Sequence, residues 1–439
     1  MITKKHTPYL FLAPYLIMFT LFIVVPTVMA FGLSFTNYNA VQAPAFSGLT
    51  NYVNLLTQDT IGPIEERREN ENTWGGMQSY GLGFHEYFQL CEDLGAQPVP
   101  VVSAAMLCQV RGSKGLPLMG QGLQDYIQDV LDLVAYAREP ADGPWGSKRA
   151  ANGHKEPFEL NFLAIGNENW GSEYFYRYGL IARAVKERYS DITCIVAAGP
   201  VAEGDLIRDS WAAIRRQYPQ DVADEHYYMP SEWFLRNTTR YDNYPRTGNP
   251  VFLGEYAAHE PAQGDKRPNN LKAALAEAAY LVGIERNSDL VRMACYAPLL
   301  AREGFDHWTP NLVWFNEDSV LKTPSFYVQQ MFSSTLGEQV LFSATDAEGL
   351  YQVATRDQDT LYLKLVNPNE TPLDINLRVD GLTEAEGTLC RLSGQLAQTN
   401  TFANPQQIVP QTEAFSLREG GAPLRLPAYS LTILKLPIK

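Results

Sequence analysis

Six short apolar runs recur between residues 97 and 300, and longer amphipathic stretches separate most of them. The runs are Pro98–Val102, Leu160–Gly166, Ile192–Ala198, Val222–His226, Val251–Gly254 and Val291–Ala297. Runs this short, rich in branched residues, suit strands buried on both faces. The stretches between them carry apolar residues at helical spacing. GLQDYIQDVLDLVAYARE places Tyr126, Val130, Leu133, Val134 and Ala137 on one helical face. YRYGLIARAVKERY, DLIRDSWAAIRRQYP and NNLKAALAEAAYLVGIERN read the same way, and HEYFQLCEDLG reads as a helix capped at Gly95. Strand, helix, strand predicts a parallel sheet, which an open doubly wound sheet and a (β/α)8 barrel both satisfy. No Gly-rich phosphate loop follows any strand, which weakens a nucleotide-binding reading. Asn167, Glu168, Tyr228, Glu255 and Tyr256 instead follow strand ends. Barrels place their active sites there.

After about residue 337 the apolar period changes to two. LYQVATRD, TLYLKLVNPN, LDINLRVDG, GTLCRLSG and LRLPAYSLTILKL alternate between turn residues, which predicts an antiparallel β-sandwich over 337–439. The other end of the chain differs from both. From His6 to Gln58 there is no Asp, Glu, Lys or Arg, and Tyr9 to Phe35 is almost wholly apolar. That stretch is long enough to cross about 30 Å of hydrocarbon as a helix. A cleaved signal peptide would have an apolar core of only about 7–15 residues. Lys4 and Lys5 precede the stretch, so a single-pass membrane protein with a cytoplasmic N-terminus is the expectation. At Asp59 and Thr60 the composition switches to a charged, soluble type. The expected division is therefore 1–59, 60–336 and 337–439, with the transmembrane helix at about 9–35.

The net charge of −14 argues against a nucleic-acid partner, which needs a basic surface. Cys91, Cys108, Cys194, Cys295 and Cys390 are scattered without CxxC spacing, so free thiols in a reducing compartment are expected. The six histidines show no HExxH or similar spacing, so no metal is expected.

AIGNENW and VFLGEYA each end an apolar strand on a glutamate, Glu168 and Glu255. A lone glutamate in such a place is ordinarily a salt-bridged loop residue. A pair can cleave a glycosidic bond, one carboxylic acid protonating the leaving oxygen and a second carboxylate attacking the sugar carbon or activating water. Two glutamates that leave different strand ends can meet across a barrel mouth.

The chain resembles known families at two places. GNENWG, DEHYY and FLGEYA, in this order, resemble family-51 α-L-arabinofuranosidases, and SYGLGFHEYFQLCEDLGAQPVPVV, NGHKEPFELNFLAIGNENWG, YAPLL, HWTPNLVWFN and TNTFANPQQIVP extend the likeness from about Ile61 to the C-terminus. The resemblance implies a barrel followed by a β-sandwich, no cofactor, and arabinofuranosyl oligosaccharides as partners. It implies a retaining mechanism with Glu168 as acid/base and Glu255 as nucleophile. Asn167 would contact the sugar hydroxyl beside the anomeric carbon, Tyr228 would orient the nucleophile, His226 would fix the network, and Trp308 would wall the sugar site. Relatives commonly form hexamers, so a homo-oligomer is expected.

YLFLAPYLIMFTLFIVVPTVMAFGLSFTNYN followed by FSGLTNYVNLL resembles the first span of a sugar ABC-transporter permease, over residues 1–58. One span cannot form a translocation path. The family pattern also has a stretch before IGPIEERR, with the first two barrel strands and an RWPGG-type loop, that this chain lacks. Six strands, the third to the eighth, are countable, so the expected fold is an incomplete (β/α)8 barrel whose activity is in question. The competing readings are a non-catalytic fusion with a permease fragment, a carbohydrate-binding protein, and a different retaining glycosidase. As encoded, the chain would sit in the membrane, and its hydrolase part alone would be cytoplasmic.

Overall fold

The structure, a computed structural model, describes residues 36–37, 45–46, 58–67, 69–71, 76–106, 108–110, 118–264, 266–419 and 421–438. The expected membrane span at 9–35 lies outside them. Among the described residues no helix is long and apolar enough to cross a membrane. The expectation of a single-pass membrane chain is corrected to this extent: none of the described helices is a membrane span. The helix Gly120–Arg138 is amphipathic instead and carries Asp125, Asp129 and Asp132 along its length.

The described chain forms two compact units. One comprises the described residues up to Pro98 together with Gly120–Asn161. It holds the helices α1 (Phe84–Asp93), α2 (Gly120–Arg138) and α3 (Pro144–Ala151). Gly95, at φ +64°, follows the end of α1 in the left-handed conformation expected of a helix cap. On α2 the face expected from spacing is buried, from Tyr126 and Val130 to Leu133, Val134 and Ala137. Arg149 of α3 is wholly buried. Its guanidinium donates to the carbonyl oxygens of Tyr136, Ala137 and Glu139 near the end of α2, and to that of Lys155. Those carbonyls lack partners within the helix, so the cation meets both the unsatisfied acceptors and the negative end of the dipole.

The second unit, Val99–Met119 with Phe162 onward, contains the six expected strands. They are β1 (Val101–Val102), β2 (Phe162–Ile165), β3 (Thr193–Ala197), β4 (Val222–Met229), β5 (Val251–Ala258) and β6 (Val291–Tyr296). All pair in parallel with their sequence neighbours, in the order β6-β5-β4-β3-β2-β1, as a curled half-barrel. Helices α4 (Gly171–Arg188), α5 (Asp205–Gln217), α6 (Ser231–Arg236) and α7 (Leu271–Arg286) run between successive strands from β2 to β6. Ala164, Ile195, Val222 and Phe252, from four neighbouring strands, form one buried cluster.

Strands β4 and β5 run past their expected ends at His226 and Gly254, to Met229 and Ala258. Tyr228, Glu255 and Tyr256 therefore lie within strands and not after them. A bulge lets the ladder continue: Glu225 pairs with Leu253, and His226 then pairs with Glu255, leaving Gly254 as the extra residue.

Beyond β6, a small sheet of β7 (Leu300–Arg302), β8 (Val313–Phe315) and β9 (Val320–Lys322) precedes helix α8 (Pro324–Ser333). The period-two region forms antiparallel sheets as expected. β10 (Gln339–Leu341), β11 (Tyr351–Arg356), β12 (Thr360–Asn367), β14 (Ala385–Ser393), β15 (Gln411–Leu417) and β17 (Ser430–Pro437) make one sheet in the order β10-β11-β12-β17-β14-β15. β13 (Leu373–Leu377) pairs with β16 (Ala422–Leu426) in another. Leu363, Leu365, Leu389 and Leu434 of the first sheet share a core with Leu424 and Leu426 of the second.

Helix α7 reads as amphipathic yet is buried almost all round, because it packs against β5 and also against β11, β12 and β17. Two of its acids meet that burial differently. Glu285 pairs with the fully buried Lys364 of β12 and accepts from Thr355 Oγ1 at 3.1 Å. Glu277, wholly buried, accepts from the Ala258 amide at 2.9 Å, at the end of β5. Burial pushes the Glu277 carboxyl up to about 8, against the opposing pull of the nearby Ser325 hydroxyl and the Ala258 amide.

Removing Lys364 strands a buried anion. Lys364→Met is expected to cost about 3–5 kcal/mol in urea unfolding, and adding Glu285→Leu should recover most of it. A single Lys364→Met variant as stable as the parent would contradict this. For Glu277 the folded pKa is raised, so the folded state keeps a proton that the unfolded chain releases. Stability is therefore full below an unfolded value of about 4.3 and falls as pH rises toward 8. Glu277→Gln keeps the acceptor for Ala258 and removes the titration. Melting temperatures should coincide near pH 4 and diverge in favour of the variant by about pH 8; parallel curves would refute the assignment.

Candidate active site

The site forms at the carboxyl ends of β2, β4 and β5, where side chains leave the closed core and meet solvent. Along β4 alternate residues face opposite ways. Glu225 and Tyr227 face the helices. Glu225 is fully buried, accepting from Trp211 Nε1 at 2.6 Å, Tyr244 at 2.9 Å and Tyr241 at 3.0 Å. Asp224, His226 and Tyr228 face the other way, toward Glu168 and Glu255. One strand thus carries a structural face and a chemical face.

Glu168 arrives by a strained turn. Gly166 (φ +87°) and Glu168 (φ +53°) are both in the left-handed region, which a glutamate rarely adopts. A Cβ on Gly166 would come within 2.6 Å of the Tyr174 ring and 2.8 Å of Asn169 Oδ1. The turn is pinned from below. Asn169 Oδ1 accepts from the Asn167 amide at 3.0 Å, and Asn169 Nδ2 donates to Gln109 Oε1 at 3.0 Å. Gln109 also accepts from the Trp170 amide at 3.0 Å and donates to the Trp170 carbonyl at 3.1 Å. Asn167 itself is exposed and lines a cleft of about 250 Å³ with Val101, Ser103, Met106 and Cys108.

Glu255 is brought opposite His226 by the Gly254 bulge. Tyr228 donates its hydroxyl to Glu255 Oε2 at 2.6 Å. Burial, then the charge of Glu255, pushes the Tyr228 phenol far up, so it stays a donor. Its ring is walled by His259, stacked at 5.0 Å, and by Trp308, edge-on at 5.3 Å. Burial, then the charge of Arg267, pushes His259 down to about 4, so the stacked ring is neutral.

His226 lies between the two glutamates. Its Nδ1 is 3.2 Å from Glu168 Oε1 and 3.6 Å from Glu255 Oε2, and its Nε2 is 3.1 Å from Asp224 Oδ2. Burial opposes a charge on this ring, but Asp224, Glu168 and Glu255 outweigh it, and the ring is held well above the ordinary histidine value. Glu255 is raised, first by burial and then by the nearby Glu168 and Asp224 charges, against the pull of His226 and Tyr228. One carboxylate oxygen of Glu168, one of Glu255 and a His226 nitrogen all lie within 4.8 Å of one another. Carboxylates and histidine are also metal-ligand types, and a metal ion would compete with a proton for the His226 nitrogen. The arrangement fits proton exchange and nucleophilic attack at one point.

The structure brings together Glu168, Glu255, His226, Tyr228 and Trp308, with Asn167 next to Glu168 in the turn. Asp224 and Gln109 were missed by the sequence reading. Asp224 lies two residues before His226, on the same strand face, and that alternation was the one available signal. Gln109 lies far along the chain from the turn it pins, and no local pattern marks it.

Residues 50–246 match the α-L-arabinofuranosidase 1 domain, and residues 254–430 match the α-L-arabinofuranosidase C-terminal domain. An extracellular exo-α-L-arabinofuranosidase of Streptomyces chartreusis is 43% identical over 299 residues, covering 68% of this chain and 35% of that protein. A probable α-L-arabinofuranosidase A of Aspergillus oryzae is 34% identical over 388 residues, covering 86% of this chain and 58% of its own length. The arabinose-bound MgGH51 α-L-arabinofuranosidase superposes with a TM-score of 0.78 at 30% identity, covering 87% of this chain and 61% of that one. The arabinose complex from Thermotoga maritima, at 17% identity and a TM-score of 0.69, shares the fold. The chain thus spans about a third to three-fifths of the length of these first relatives. The Streptomyces relative is described as extracellular, which runs against the cytoplasmic setting expected from the scattered cysteines and corrects it. The two matched domains, the curated relatives and the shared fold lead to one conclusion: the chain belongs to the family-51 α-L-arabinofuranosidases.

Proposed function

We propose that the chain is a retaining glycoside hydrolase that releases terminal α-L-arabinofuranose from the non-reducing ends of arabinose-containing oligo- or polysaccharides. The observation that carries this reading is the approach of a Glu168 oxygen and a Glu255 oxygen to within 4.8 Å of each other. Retaining enzymes hold their carboxyls about 5–5.5 Å apart, whereas inverting enzymes leave about 6.5–9.5 Å for a water. In this reading the half-barrel corresponds to strands three to eight of a (β/α)8 barrel within residues 60–336, and the antiparallel sheets form a β-sandwich over 337–439.

Glu255 attacks the anomeric carbon. The Tyr228 hydroxyl on its Oε2 fixes the carboxylate so that one oxygen is held while the other meets the sugar. Glu168 gives its proton to the departing oxygen and becomes an anion 3.2 Å from His226 Nδ1, where the imidazolium offsets the new charge. It then takes a proton from the water that releases the sugar. In this reading Asn167, beside the acid/base, binds the hydroxyl next to the reacting carbon, and Trp308, edge-on to Tyr228, extends the aromatic wall. No cofactor enters any step.

The test uses the full chain and aryl α-L-arabinofuranosides. Glu255→Ala is expected to abolish turnover. Glu168→Gln should lower kcat by about 10²–10⁴-fold on poor leaving groups and far less on good ones. The first sugar product, followed by NMR, should keep the α configuration. Binding of arabinosides without aglycone release would favour a carbohydrate-binding protein instead, and a β-configured first product would exclude retention.

A further inference from the structure

We propose that Asp224 is a positioning residue for both catalytic carboxylates: one of its oxygens holds the bulge that aims Glu255, and the other holds the His226 ring between Glu168 and Glu255. The inference rests on the reading of Glu168 and Glu255 as the catalytic pair.

Asp224 is largely buried, and each of its oxygens has a different task. Oδ1 accepts the Gly254 amide at 3.0 Å. A Cβ on Gly254 would lie 2.2 Å from that oxygen, so the contact requires glycine. Gly254 is the residue that the β4–β5 ladder skips, and without the skip the next side chain would turn to the opposite sheet face. Asp224 therefore stabilises the irregularity that puts Glu255 across from His226. Its other oxygen, Oδ2, lies 3.1 Å from His226 Nε2. With that nitrogen held, Nδ1 stands 3.2 Å from Glu168 and 3.6 Å from Glu255. A single carboxylate thus sets the direction of the nucleophile and of the group between nucleophile and acid.

The charge count supports the same role. His226 faces Asp224 on its own strand, Glu168 from the turn after β2 and Glu255 from β5. The hydroxyl of Tyr228 faces Glu255. Cys295 of β6 and Tyr174 of α4 feel the charge of Asp224. In this set the imidazolium is the sole cation, and Asp224 is the carboxylate that favours it without taking part in the reaction. Asparagine at position 224 would keep an oxygen for the Gly254 amide and lose the charge. His226 would then lie neutral between two glutamates, and both would hold protons more tightly.

The test labels the histidine rings of the full chain with ¹⁵N and follows His226 by NMR, His226→Gln identifying its signals. In the parent both ring nitrogens should stay protonated from about pH 6 to 8, where a free imidazole with a pKa near 6.5 becomes neutral. In Asp224→Asn the ring should be neutral over that range, and Asp224→Glu should restore the protonated form. On an aryl α-L-arabinofuranoside, Asp224→Asn should lower kcat by about 10²-fold with KM little changed, and shift the pH–rate profile to higher pH. Gly254→Ala should reduce kcat similarly without that alkaline shift. A protonated His226 ring in Asp224→Asn, or an unmoved pH profile, overturns the proposal. If Asp224→Asn does not fold, the parent decides: a His226 ring that titrates as free histidine does overturns it. A parent with a protonated His226 but no hydrolysis would refute the glycosidase reading and leave the Asp224–His226 link supported.

Discussion

Two carboxylates brought within 4.8 Å in a half-buried cleft repel each other, and the architecture around this site answers that repulsion. Burial makes each anion costlier, because the surrounding protein screens charge less than water does. His226 is the main response. Its ring, buried and flanked by Asp224, Glu168 and Glu255, is held in its charged form by their combined pull. The Tyr228 hydroxyl supplies a second, neutral compensation on Glu255 alone. The two glutamates therefore sit in unequal surroundings. A site that needs one proton donor and one nucleophile requires that inequality.

The same strand that delivers this chemistry is anchored behind by Glu225 and its ring of Trp211, Tyr241 and Tyr244. These hydrogen bonds fasten β4 on the helix side, opposite the face that carries Asp224, His226 and Tyr228. On the far side, α7 ties β5 to the antiparallel sheets through the Glu285–Lys364 pair and to the end of β5 through Glu277. The strand that carries Glu255 is thus braced by a helix that is itself buried between two sheets.

Much of this was legible in the sequence, and the limits are physical. Strand and helix positions followed from apolar runs and helical spacing, since burial on two faces or one leaves a local periodic trace. The two glutamates were legible because each follows such a run. Where β4 and β5 end was not, because a bulge at Gly254 keeps a ladder going through residues that read as loop. Asp224, Gln109 and the left-handed Glu168 were not legible either. Their roles arise from partners far away in the chain, or from a backbone angle that no residue type announces. The expectation for residues 9–35 came from hydropathy and from a likeness to a permease span. None of the described helices is such a span, and the matched domains begin at residue 50.

The central claim is that Glu255 and Glu168 converge on a single anomeric carbon. Treating the full chain with an activated 2-deoxy-2-fluoro-α-L-arabinofuranoside and locating the attached sugar by peptide mass spectrometry tests it most directly. The account predicts one sugar per chain, on Glu255, with the adduct stable because the fluorine slows its hydrolysis. A label on any other residue, or a chain left unmodified while it still hydrolyses an arabinoside, would contradict it.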